Sequence, residues 1–120
     1  MPDLTHFDES GASRMVDVGS KEITQRRAIA HGVVTMEAST LELIRDKGHA
    51  KGDVLEVARL AGIMATKQTQ NLIPLCHSIG LDSAKIDFDF LDENRLSIQA
   101  EVSNHGRTGV EMEAMTAVSV

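Results

Sequence analysis

His77 follows Cys76 near the end of Asn71–Ser78, NLIPLCHS, an apolar segment interrupted by Pro74. An imidazole held in such a turn can move a proton or contact a polar substrate, and it can equally be a satisfied core histidine. Lys51 stands two residues before Asp53 on the glycine-containing stretch GHAKGD. A lysine beside a helix N-terminus makes an anion or phosphate site, because free amide hydrogens and the positive dipole end are already there. Asp53 as N-cap would occupy some of those amides, and the stretch is not a GxxxxGK[ST] phosphate loop. A solvated loop lysine is therefore the competing reading. Glu111-Met112-Glu113 offers two carboxylates. On a helix they diverge by about 200°, whereas in an extended lead-in they share a side. One pocket holds both only if the helix starts after Glu113. Just before them, Gly106-Arg107-Thr108-Gly109 adds a guanidinium suited to phosphate.

Two further combinations carry less. Cys76 and His77 are adjacent, so on extended backbone they diverge and make no nucleophile–base dyad. The five histidines (His6, His31, His49, His77, His105) are scattered without i, i+4 spacing, so no metal site is expected.

A chain of 120 residues forms one domain with a core large enough to need no staple. A single cysteine excludes an internal disulfide framework and fits a reducing cytoplasm. The start, MPDLTHFDES, has neither the basic nor the apolar part of a signal peptide, and no stretch approaches membrane-spanning length. A net charge of −6 disfavours nonspecific nucleic-acid binding, and three Phe with no Tyr or Trp leave almost no surface for stacking bases. No nucleic-acid or membrane partner is expected, and an anionic substrate would need a local basic pocket.

The elements that must position these residues follow from pattern. Residues 1–20 lack periodicity apart from Met15–Val18 (MVDV) and read as an irregular arm. Ile23–Met36 is rich in β-branched residues and predicts a strand, on which Arg26 and Arg27 point to opposite faces. Ser39–Glu42 matches a capping box and predicts a helix to about Asp46. Asp53–Glu56 predicts a second cap, followed by a broad apolar helix to about Lys67. Ile86, Phe88 and Phe90, then Leu96, Ile98, Ala100 and Val102, alternate with polar residues across Asp92-Glu93-Asn94. That is an antiparallel hairpin with one wet face. Ser103–Gly109 reads as a loop and Val110–Val120 as a last helix, still helix-like at its final residue with no cap. The expected class is α+β, with helices on one face of an antiparallel sheet. A ferredoxin-like unit would need one more strand after this helix, so the chain reads as C-terminally incomplete.

Together, MVDV, KGDVLEVARLAGIMATKQT, NLIPLCHS and TGVEMEAMTA, in this order, resemble the molybdenum-cofactor biosynthesis protein C family from Leu4 to Val120. The resemblance implies an enzyme, a lyase, that converts 3′,8-cyclo-7,8-dihydroguanosine 5′-triphosphate to cyclic pyranopterin monophosphate with release of pyrophosphate. It implies a ferredoxin-like fold and a homohexamer, a trimer of dimers with sites at the dimer interface. It implies no required cofactor, with Mg2+ possible alongside the triphosphate. By motif, Lys51 resembles the catalytic lysine, and Leu75, Cys76 and His77 match a substrate-contacting segment in which His77 is the polar contact and a catalytic candidate. Met112 and Glu113 match a second contact segment, which Glu111 would support. Arg26 matches a basic residue that meets the triphosphate, and Arg107 stands where the family often has lysine. Ser78 replaces the family's usual proline. The family's catalytic aspartate, in an Asp-x-x-Lys pair, and its last strand fall beyond Val120. The alternative expectation is therefore a catalytically incomplete remnant that serves as a binding or assembly subunit.

Overall fold

The computed structural model describes residues 9–46, 53–77 and 79–120. The strand β1 (Thr24–Thr35) is followed by helices α1 (Ala38–Arg45), α2 (Val54–Thr66) and α3 (Thr69–Leu72). Strands β2 (Ser83–Phe90) and β3 (Arg95–Gly106) and helix α4 (Glu111–Ser119) complete the order. The three strands form one open antiparallel sheet in the order β1-β3-β2. The α+β class expected from alternation is the class observed.

Alternation decides which face is covered. In β1, Arg26, Ala28, Ala30 and Gly32 turn inward while Arg27, Ile29 and His31 face out, so the two arginines do separate. Ile86 of β2 and Ala100 of β3 are buried against Ala117 of α4, with Ile63 of α2 packed beside them. Val102, Val110 and Ala114 form an adjoining cluster under Ala28 and Ala30. Helices α2 and α4 thus cover the same face. They approach closely because Gly62 has no side chain: a Cβ there would run into the Ile86 Cδ1 and lie 3.1 Å from the Ala117 carbonyl oxygen. Gly62→Val is expected to lower stability by about 2 kcal/mol through overpacking. Urea unfolding checks this, and an unchanged midpoint would contradict the close approach.

Several boundaries differ from expectation. Helix α1 is capped at Glu37 with no side-chain cap, so Ser39 lies inside the first turn and the capping box is not formed. The cause is a tether: the Met36 amide donates to the Asn94 carbonyl at 2.8 Å and Asn94 Nδ2 donates to the Met36 carbonyl at 3.2 Å. The chain is thereby turned at Met36, before Ser39 can act. Asp53 does cap α2, accepting from the amides of Leu55 at 3.0 Å and Glu56 at 3.4 Å. Strand β3 runs on through Ser103–Gly106, expected as loop, because β1 supplies ladder partners from Thr24 to Arg27. Helix α4 begins at Glu111, so the two glutamates occupy its first turn rather than an extended lead-in.

Candidate active site

The segment after α3 cannot stay helical, since Pro74 disfavours helical geometry in the residue before it and offers no amide hydrogen. Leu75 then adopts φ 61, the left-handed region, at a cost on the order of 1 kcal/mol. This reversal presents Cys76 and His77, both half-buried, to the start of α4. His77 Nε2 lies 2.6 Å from the Val16 carbonyl oxygen of the N-terminal arm. A carbonyl only accepts, so Nε2 carries the hydrogen, and in the neutral ring Nδ1 keeps its lone pair. The histidine is therefore tethered through one nitrogen and available as a base through the other.

On the α4 side, Glu113 is 3% exposed. The Cys76 thiol approaches its Oε2 at 3.8 Å, and its Oε1 has no hydrogen-bond partner among the described residues. Burial raises the Glu113 carboxyl above the ordinary glutamate range, with the neighbouring Glu111 charge adding to the shift. Burial also raises the Cys76 thiol, with Glu113 reinforcing it, so the sulfur is a weak donor rather than a nucleophile. Glu111 is exposed and its carboxylate folds back over Gly109, while its charge still reaches Glu113.

A raised folded-state value means that Glu113 contributes stability below its ordinary value of 4.5 and that this contribution is lost as pH rises through the raised value. Glu113→Gln cannot ionise. Its stability relative to the native chain is expected to improve as pH is raised from about 4.5. Urea unfolding across pH tests this, and a pH-independent difference would contradict the buried, reluctant carboxyl.

Two hollows meet at His77. One, about 310 Å³, is lined by Leu75, Cys76, His77, Glu111, Met112 and Glu113. One pocket therefore holds both glutamates although the helix already begins at Glu111, contrary to the expectation that it would have to start after Glu113. The other, about 290 Å³, is lined by His77, Asn104, Gly106 and Arg107, with Val18 of the arm. The structure thus brings Leu75, Cys76, His77, Glu111, Met112 and Glu113 together and places Arg107 in the second hollow that His77 also lines. Arg26 lines neither hollow. It sits inward on β1, paired in register with Asn104, and its Nε is buried without a partner among the described residues. Lys51 and Ser78 lie outside the described residues. Among the described residues, no group of three or more His, Cys, Asp or Glu is arranged to hold a metal ion.

Sequence reasoning missed two participants. Val16 contributes only a carbonyl, which no side-chain pattern reveals. Asn104 continues the inward series Leu96, Ile98, Ala100 and Val102, so a polar residue at that position was the available signal.

A family model described as the MoaC family matches residues 15–120. A protein of Magnetococcus marinus is 60% identical over 100% of this chain and 74% of its own length, and is called cyclic pyranopterin monophosphate synthase. One from Desulfitobacterium hafniense with the same name is 55% identical over 98% of this chain and 72% of its own length. Cyclic pyranopterin monophosphate synthase 1 of Mycobacterium tuberculosis is 55% identical over 98% of this chain and 69% of its own length.

Proposed function

This chain belongs to the MoaC family, and from that premise we propose that it acts in molybdenum-cofactor biosynthesis as a cyclic pyranopterin monophosphate synthase. Its substrate is then 3′,8-cyclo-7,8-dihydroguanosine 5′-triphosphate, and its products are cyclic pyranopterin monophosphate and pyrophosphate. The chemistry opens the imidazole part of the purine, recloses it as a pyranopterin and forms a cyclic phosphate. It needs proton transfers beside a controlled triphosphate. The observation that carries the reading is the placement of His77 between two hollows, one bearing the Glu113 carboxyl and the other Arg107.

In this reading the Nδ1 lone pair of His77 takes protons from the reacting ring system. Glu113, whose carboxyl is raised by burial, faces the substrate's heterocycle, with Leu75, Cys76 and Met112 forming the wall around it. Lys51, Arg26 and Arg107 offset the triphosphate charge and stabilise the departing pyrophosphate. No resident cofactor is required, and Mg2+ would enter with the triphosphate as part of the substrate.

The architecture belongs to the same proposal. With β3 lying between β1 and β2, the β1–helix–β2 crossover has the form of a split βαβ unit. A ferredoxin-like sheet would place a fourth strand on the outer edge of β1. We assign the chain to a homo-oligomer, a hexamer built as a trimer of dimers with sites at the dimer interface. Val57, Leu60 and Met64 form an apolar stripe on α2 that is more than half exposed. The radius of gyration of 17.5 Å exceeds the roughly 14 Å of a compact chain of this length. No helix among the described residues is long and apolar enough to cross a membrane, and the proposed setting is the cytoplasm.

The deciding experiment incubates the 120-residue chain, and separately a version extended beyond Val120, with the cyclised dihydro-GTP. The expected result is pyrophosphate and pterin product in equal amounts from the extended version. Failure of both versions to form either product would overturn the synthase reading.

A further inference from the structure

Two buried polar atoms without partners belong to residues set opposite one another across the sheet. The register of β1 and β3 sets Arg26 opposite Asn104, and both side chains turn to the helix-covered face. Asn104 is 1% exposed, and its Oδ1 has no hydrogen-bond partner among the described residues. The Nε of Arg26 is likewise buried and unpartnered there. One atom only accepts and the other only donates, so each is the chemical complement of the other. Directly opposed residues on antiparallel strands have Cβ atoms about 5 Å apart, within reach of a direct contact or one bridging water.

Resting on the synthase reading above, we propose that Asn104 is a positioning residue for Arg26. Its amide oxygen accepts from the guanidinium Nε when a phosphate draws the fork into place; in this structure the two atoms are not bonded to one another. The guanidinium is planar and rigid, so a bond at Nε orients the whole fork and leaves the two terminal nitrogens to meet phosphate oxygens side by side. Asn104 also lines the hollow that contains His77 and Arg107, so Arg26, which lines neither hollow itself, is set by register next to a residue that does. Gly106 leaves room for the amide: a Cβ there would lie 2.8 Å from Asn104 Nδ2. A buried amide with an unpaired oxygen is a poor packing residue, and leucine, of similar volume, would serve the core better.

The test uses inorganic triphosphate as probe, titrated calorimetrically into the full chain. Asn104→Leu is expected to weaken binding about tenfold, the effect of one hydrogen bond to a charged group, while the thermal midpoint stays or rises. Arg26→Ala should weaken binding at least as much, and the double variant should bind no worse than Arg26→Ala alone. Asn104→Thr, which keeps an acceptor, should retain most of the affinity. With the cyclised dihydro-GTP, Asn104→Leu should raise KM about tenfold and change kcat little. If Asn104→Leu does not fold, Gly106→Ala, which crowds the same amide, should show the same weakening.

Native affinity in Asn104→Leu, or additive losses in the double variant, would overturn the proposal. So would a native chain that binds no triphosphate. A native chain that binds triphosphate in an Asn104-dependent way, yet never forms pterin in the extended version, would remove the synthase reading and leave this one standing.

Discussion

Lys51→Ala is expected to lower turnover about a thousandfold while leaving the unfolding midpoint unchanged. Acid–base participation contributes on the order of 10²–10⁴ in rate, and a lysine that also offsets triphosphate charge loses both effects at once. Stability should hold because Asp53, not Lys51, caps α2 by accepting from the Leu55 and Glu56 amides. Lys51→Arg separates the two roles. A guanidinium keeps the charge but does not give up its proton near neutral pH, so it should restore substrate affinity without restoring turnover. Pyrophosphate release under saturating and limiting substrate measures both quantities. Near-native turnover in Lys51→Ala would remove this lysine from the mechanism.

The second large effect is expected at His77, where two roles must be pulled apart. Its Nε2–H holds the Val16 carbonyl at 2.6 Å, so His77→Ala removes a base and also frees the N-terminal arm. We expect turnover to fall at least a hundredfold, accompanied by a small loss of stability of about 1 kcal/mol for the lost hydrogen bond. His77→Gln is the sharper variant. A glutamine amide can still donate to Val16 but offers no basic nitrogen. It should therefore keep the native unfolding midpoint and remain as inactive as His77→Ala. An active His77→Gln would mean that the histidine serves only as a tether, which is the core-histidine alternative raised by its apolar surroundings.

Comparison of pattern with structure separates two kinds of information. Local features were readable wherever neighbours along the chain decide them. The Asp53 cap, the separation of Arg26 from Arg27 and the alternation of β2 and β3 all follow from backbone geometry within a few residues. The candidate residue types were also visible, because a lysine beside a cap or a histidine in an apolar turn is unusual in itself.

Where a remote partner decides, the local signal failed or was silent. The Ser39 capping box lost to a tether between Met36 and Asn94, and β3 outran its expected end because β1 offered it ladder partners. Glu111 and Glu113 look equivalent along the chain, yet one is exposed and the other is buried against Cys76, since only the packing of α4 on the sheet says which side is covered. The pairing of Arg26 with Asn104 and the grip of Val16 on His77 belong to the same class. Desolvation, pKa shifts and hydrogen-bond partnership depend on atoms brought together from distant parts of the chain. Types and local conformation are written residue by residue, whereas the site's electrostatics exist only once the sheet has its register and its helices have docked.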